Sequence, residues 1–138
     1  MERTLVLVKP DGVARGLCGE VISRLERAGL ELSAVRFLVM TDALARQQYA
    51  EHAEKEFFAD LCQFMSSGPV LAIAVAGDDA VARVRRLLGA TDPAAAAPGT
   101  IRHDLGETKR RNVAHGSATV ADAAREIAIY FRPEELVR

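Results

Sequence analysis

Thr4-Leu5-Val6-Leu7-Val8 runs without interruption into Lys9-Pro10-Asp11-Gly12. The first stretch shows no polar alternation and favours extended backbone, so it reads as a strand buried on both faces; the second ends it in a turn. A strand of that kind belongs at the centre of a sheet. The rest of the chain must therefore supply flanking strands and the helices that cover them.

Downstream, Cys18, Val21, Ile22, Leu25 and Ala28 recur at helical spacing, and Gly29 stands where a helix C-cap is wanted. Leu30 to Met40 mixes Val, Leu and Phe with Glu31, Ser33 and Arg36, the pattern of a half-exposed second strand. Thr41 or Asp42 then caps a paired-helix insertion, around Leu44 to Tyr49 and around Phe58 to Met65. Val70 to Ala76 is another continuous apolar run and predicts a further central strand. Ala80, Val81, Val84, Leu87 and Leu88 make a helix face, with Asp78 or Asp79 at its start and Gly89 after its end. Residues 90–111 carry no periodicity, and a loop of that length inside a compact domain is usually functional or disordered. Asn112 to Ala114 fits a short fourth strand; Thr119-Val120-Ala121-Asp122 then caps a helix whose apolar face is Val120, Ala124, Ile127 and Phe131. Strand, helix, strand, strand, helix, strand is the ferredoxin-like βαββαβ pattern, an α+β fold with a four-stranded antiparallel sheet and helices on one face.

The 138 residues are 49% hydrophobic, enough for one substantial core and too few for two comfortable domains, so residues 1–138 read as one domain. Eighteen Lys and Arg against 19 Asp and Glu leave a formal charge of -1, which excludes the basic field of a nonspecific nucleic-acid binder. The apolar run near the start is far shorter than the roughly 20 residues that span a bilayer, and Glu2-Arg3 is charged too early for a signal peptide. A cytoplasmic protein without a membrane partner is the expectation. Cys18 and Cys62 lie far apart in apolar helical patterns and read as reduced core thiols.

Imidazole is the side chain whose ordinary pKa suits it to nucleophilic or proton-carrying work near neutrality. His52, in Glu51-His52-Ala53-Glu54-Lys55, and His103, in Arg102-His103-Asp104, have polar surroundings that fit solvated surface positions. His115 lies in Asn112-Val113-Ala114-His115-Gly116-Ser117, at the end of an apolar piece, where Gly116 leaves room for a bulky group and Ser117 supplies a hydroxyl. The same chain holds phosphate-friendly groups: Lys9 at a strand end, Arg85 on the exposed side of a helix and Arg102 in the long loop. Thr91-Asp92-Pro93 resembles a helix start that aims free N–H groups and a hydroxyl at an anion. No Gly-x-x-x-x-Gly-Lys-Ser/Thr loop is present, which disfavours a P-loop kinase or ATPase.

In combination, Arg3 to Gly12, Tyr49-Ala50-Glu51-His52, Phe57-Phe58, Ser67-Gly68-Pro69-Val70, Gly89 to Pro93, Ala97-Pro98-Gly99-Thr100-Ile101-Arg102, Asn112 to Ser117 and Arg125-Glu126-Ile127-Ala128 resemble the nucleoside diphosphate kinase family, collinearly over nearly the whole chain. The resemblance implies that His115 attacks the γ-phosphorus of a nucleoside triphosphate, typically ATP, through Nδ1. The phosphohistidine then passes its group to a nucleoside diphosphate such as GDP with ping-pong kinetics. Glu126 would orient the ring, and Ser117 would support that carboxylate or the phosphate. Lys9, Tyr49, Arg85, Thr91, Arg102 and Asn112 map onto family positions near the phosphates and ribose, with Lys9 and Asn112 suited to the sugar hydroxyls. Phe57 would stack on the base without reading its edge, which implies broad nucleotide specificity. Mg²⁺ would be held through the nucleotide phosphates, not by a protein cage. A homo-oligomer is implied, hexamer before tetramer or dimer, with the loop from Thr91 to Arg111 contributing.

Some positions depart from the family pattern. His103 and Leu105 replace a usual Gly and Phe, Ala118 replaces an Asp, and Glu56 replaces a Pro. None removes an expected reacting group; they bear on turnover, loop conformation and subunit contacts. The competing reading is a catalytically weak family member acting as a regulatory or interaction module, against which stands the retention of His115 with its expected surroundings.

Overall fold

The computed structural model describes residues 1–138, and its secondary structure follows the order β1 (Glu2–Val8), α1 (Pro10–Ala14), α2 (Cys18–Arg27), β2 (Glu31–Val39), α3 (Asp42–Gln48), α4 (Phe58–Met65), β3 (Pro69–Gly77), α5 (Ala80–Leu88), α6 (Ile101–Leu105), β4 (Ala114–Gly116) and α7 (Val120–Tyr130). The strands form one antiparallel sheet in the order β2-β3-β1-β4, with Leu5 opposite Ala74 and Val8 opposite both Leu71 and Ala114. This is the ferredoxin-like α+β arrangement. β1 and β3 are interior strands, and their aliphatic side chains are buried on both faces.

Because β1 alternates between the two faces, its residues enter separate cores. Leu5 and Leu7 join Ala72 and Ala74 beneath α3, α4 and α7, through Ala45, Phe58, Met65, Ile127 and Tyr130. Val6 and Val8 join Ile73 and Val75 beneath α2 and α5, through Val21, Leu25, Val84 and Leu88. The expectation of helices on one face is thus corrected: the paired helices inserted after β2, with α7, cover the second face. Packing of α7 directly on β1, with the inserted pair beside it, leaves β1 no solvent side. Full burial of a Leu or Val is worth roughly 1.5–3 kcal/mol, so the central strand is the main anchor of everything at its ends.

Several local expectations shift for identifiable reasons. The expected turn at Pro10-Asp11-Gly12 is a short helix with proline at its first position. Residues 90–111 are not featureless: α6 starts at the cap Thr100, whose hydroxyl accepts from His103 N. Neither Asp78 nor Asp79 caps α5 through its side chain; Glu2 Oε2 reaches across to accept from Val81 N at 2.8 Å. The last strand is Ala114–Gly116 and not Asn112 to Ala114, because Val113 is held at φ 77, outside the extended region. Asp11 Oδ2 takes the Val113 amide at 3.0 Å and Lys9 N binds the Val113 carbonyl at 2.9 Å, which holds a strained β-branched residue in place. In α7, Thr119 caps as expected, but the buried face is Ala123, Glu126, Ile127 and Tyr130, with Val120 58% exposed. Both cysteines are unpaired, Cys62 buried and Cys18 only half-buried.

Candidate active site

β1 and β4 end side by side. With Leu7 opposite His115 and Val8 opposite Ala114, the register brings His115 and Lys9 to the same end of the sheet. Gly116 lines the cleft, and packing gives a second reason for glycine there: a Cβ would lie 2.7 Å from Leu88 Cδ1 and 3.0 Å from Val84 Cγ1. Close packing of α5 on β4 therefore favours glycine at this position.

His115 Nε2 lies 2.7 Å from Glu126 Oε1, and Glu126 is 1% exposed. The same oxygen accepts from Gln48 Nε2 at 2.8 Å and from Ser117 Oγ at 3.2 Å. Burial pushes the Glu126 carboxyl up, but the hydrogen bond and charge of His115 with the bonds from Gln48 and Ser117 outweigh it and hold the group below its ordinary range. An ionised carboxylate has no proton to give, so the ring hydrogen sits on Nε2. No protein group hydrogen-bonds Nδ1. The Tyr49 ring packs edge-on against the imidazole with centroids 5.6 Å apart.

The same cleft collects the cations. Lys9 is 5% exposed and donates to Arg110 O at 2.6 Å and Asn112 Oδ1 at 2.8 Å. Burial lowers its pKa to about 8; Asp11 opposes the shift, and the charges of Arg102 and Arg110 add to it. The Asn112 amide is engaged at both ends, its Nδ2 donating one hydrogen to Thr91 O at 2.9 Å and keeping the other. Arg102, also buried, donates to Gly89 O at 3.0 Å and Ala114 O at 2.9 Å while its Nε finds no partner. Burial, and then the charge of Arg85, lower its pKa to about 10. Tyr49 is buried with an unpartnered hydroxyl, its pKa driven well up by burial.

These residues line a cleft of about 620 Å³ that collects Lys9, Tyr49, Phe57, Arg85, Thr91, Arg102, Asn112, His115 and Glu126. Ser117 lies beneath it, fully buried and facing Glu126. All the site residues read from sequence thus converge, Arg85 and Thr91 from exposed positions. A larger groove of about 1030 Å³, on the outer side of α7 between the chain termini, contains none of them. Asp92 caps only a single turn at Pro93–Ala95. His103 is exposed on α6, as expected. His52 is not simply a solvated surface residue: it is half-buried in the cleft wall, its ring 6.4 Å from Tyr49 and 5.6 Å from Phe57. Sequence reasoning also missed Gln48, a fully buried amide in a run of polar helix residues. No group of three or more His, Cys, Asp or Glu side chains converges to hold a metal. Of the acidic groups lining the cleft, Glu126 is committed to His115 and Glu51 to Arg125 at 3.0 Å. The remaining donors are cations and amides, which suits a metal that arrives already bound to phosphate.

A family model described as "Nucleoside diphosphate kinase" matches residues 2–136. A nucleoside diphosphate kinase of Thermus thermophilus is 53% identical over 99% of this chain and all of that one; one from Archaeoglobus fulgidus is 53% identical over 99% of this chain and 91% of its own length. Among solved structures, a nucleoside diphosphate kinase family protein from Babesia bovis superposes with a TM-score of 0.96 at 48% identity, covering 100% of this chain and 93% of that one. A halophilic nucleoside diphosphate kinase from Halobacterium salinarum, solved in complex with CDP, gives 0.96 at 48% identity over 99% and 91%.

Proposed function

The chain belongs to the nucleoside diphosphate kinase family, and we propose from that premise that His115 is the residue that carries the phosphoryl group. The activity is transfer of the γ-phosphate of a nucleoside triphosphate to a nucleoside diphosphate through a phosphohistidine. Assigned to this cleft, the Nδ1 lone pair attacks the γ-phosphorus, the N–P bond forms as the bond to the bridging oxygen breaks, and the nucleoside diphosphate leaves. A terminal oxygen of a second diphosphate then attacks phosphorus and the N–P bond breaks. Two similar in-line steps give ping-pong kinetics.

The observation that carries the assignment is the 2.7 Å contact between His115 Nε2 and Glu126 Oε1. It places the ring hydrogen away from the unbonded nitrogen, and it supplies an acceptor for the positive charge that develops on the ring as phosphorus adds. Lys9, Arg85, Arg102, Tyr49 and Thr91 offer donors to phosphate oxygens, whose charge grows in the transition state. Lys9 and Asn112 suit the ribose hydroxyls. Phe57, 42% exposed, offers a face to any base. Mg²⁺ held through the nucleotide phosphates, not by protein carboxylates, would supply further positive charge beside the transferred group.

Residues 1–138 form one domain on this reading, in a cytoplasmic protein; no helix is long and apolar enough to cross a membrane. A homo-oligomer, hexamer before tetramer or dimer, is supported by the unpaired outer edge of β2, where Val35, Phe37 and Val39 are 47%, 60% and 60% exposed. With γ-labelled ATP the protein should take up an acid-labile, base-stable label and pass it to GDP, and His115→Ala should take up none. Labelling of the alanine variant at the parent level overturns the assignment.

A further inference from the structure

Glu126 is not held by His115 and Ser117 alone. Gln48, the last residue of α3, is fully buried, and its Nε2 lies 2.8 Å from Glu126 Oε1 while its Oε1 lies 2.7 Å from the Tyr130 hydroxyl. An amide oxygen only accepts and an amide nitrogen only donates. Turned the other way, the amide would set its oxygen against a carboxylate oxygen with no hydrogen between them, so the carboxylate dictates the orientation. Tyr130 must then donate to Gln48 and Gln48 to Glu126, so donors from Tyr130 through Gln48 on one side and from His115 on the other converge on the carboxylate. Gln48 Nε2 is also 3.3 Å from His115 Nε2, but both nitrogens carry hydrogens and both aim at Glu126.

The backbone of the same segment is pinned as well. Arg125 donates to Gln47 O at 3.0 Å and to Gln48 O at 3.3 Å, its Nη2 lying 3.8 Å from Glu126 Oε2. Gln48 is followed directly by Tyr49, which forms the cleft wall against the imidazole. One side chain therefore ties the end of α3, and with it a wall of the cleft, to the carboxylate on α7.

We propose that Gln48 is a positioning residue for phosphoryl transfer: with its oxygen fixed by Tyr130, its amide holds the Glu126 carboxylate in register with His115. The proposal rests on the assignment of His115 as phosphoryl carrier. A neutral donor is the right group here, since a cation would compete with His115 for the carboxylate and an apolar side chain would leave Tyr130 and one carboxylate lone pair without partners.

The test compares Gln48→Met, which keeps the volume and removes the donor, with Gln48→Glu, which keeps the shape and sets a second carboxyl against Glu126. Label uptake from ATP in a single turnover should slow by about tenfold in Q48M and by more in Q48E, with the dissociation constant for a nucleoside diphosphate within about twofold of the parent. In the unliganded proteins, a carbon-13 titration of the Glu126 carboxyl should move to higher pH in Q48M and further in Q48E. Tyr130→Phe should move both readouts the same way by less. A residue that merely fills space would shift neither the titration nor the split between rate and affinity. Parent-like uptake and titration in Q48M and Q48E overturn the proposal. If His115→Ala still takes up label, the assignment of the carrier fails instead, and the Glu126 titration still reports whether Gln48 holds the carboxylate.

Discussion

Two buried polar clusters stand side by side in the cleft, and they are completed differently. Around Glu126 every donor has an acceptor: His115, Gln48 and Ser117 converge on one oxygen, and Tyr130 completes the chain. Around Lys9 and Arg102 the balance is open. Lys9 donates to a carbonyl and an amide oxygen and lies over the Phe64 ring, Arg102 donates to carbonyls with its Nε unpartnered, and no carboxylate pairs with either. A closed network specifies geometry, whereas buried cations with lowered pKa values hold free energy in reserve for an anion. On the proposed function, the first cluster would fix the nucleophile and the second would receive phosphate.

The sharpest way to break this contrast is to neutralise the closed cluster. Glu126→Gln keeps the shape and the acceptor oxygen but removes the charge that balances a phosphorylated imidazole. Label uptake should fall by roughly 10²-fold, between the losses seen for outer partners of imidazole ligands and for the carboxylates of catalytic triads. Nucleotide affinity, measured by calorimetry, should stay near the parent value, because that carboxylate touches no proposed nucleotide contact. An equal loss of affinity would mean that the two clusters are not separable.

The open cluster should respond in affinity first. Lys9→Met should weaken nucleoside diphosphate binding by roughly tenfold to a hundredfold, the worth of one charge-assisted hydrogen bond. Its pH dependence carries two opposite signs. Lys9 titrates near pH 8 in the folded, unliganded protein against 10.5 ordinarily. Between those values the unfolded chain binds more protons, so the Lys9 contribution makes stability rise with pH across that window. Nucleotide binding, which needs the ammonium, should weaken as pH rises through the same window. The difference between parent and Lys9→Met in urea midpoint and in affinity, measured from pH 7 to 10, checks both; slopes of the same sign would refute the open-cluster description.

Much of the open cluster was legible in the sequence, and part of the closed one was not. Lys9 ends an unbroken apolar strand, which alone delivers it to a sheet end, and His115 follows a short apolar piece that pairs with that strand. Gln48 gave no such signal. It follows Gln47 in a polar stretch; Gln47 is exposed and Gln48 is buried, a difference decided by α7 packing across α3 and absent from local spacing. α7 misled for the same reason. Val120 and Ala124 complete an apolar stripe on paper, yet the face turned inward is Ala123, Glu126, Ile127 and Tyr130, which looks wrong until Gln48 and His115 are there to satisfy the carboxylate. The helices on the second face, and the left-handed Val113 that shortens β4, depend likewise on contacts far along the chain.

The smallest expected effect gives the finest reading of the closed cluster. Ser117 is its weakest member, fully buried and donating to Glu126 at 3.2 Å, the longest of the bonds to that oxygen. Ser117→Ala removes that donor, leaves His115 and Gln48 in place, and should cost about 1.5 kcal/mol in urea unfolding, the lower end for a hydrogen bond to a charged group, as befits a 3.2 Å contact. Label uptake should slow only about threefold, because the remaining donors keep the carboxylate ionised and aimed. A larger loss separates two roles for the hydroxyl. If uptake falls more than about tenfold while the Glu126 titration stays in place, Ser117 acts on the transferred phosphate and the cluster is less closed than its resting geometry implies. If both move together, the hydroxyl works through the carboxylate, and the closed cluster is more cooperative than its separate bonds suggest.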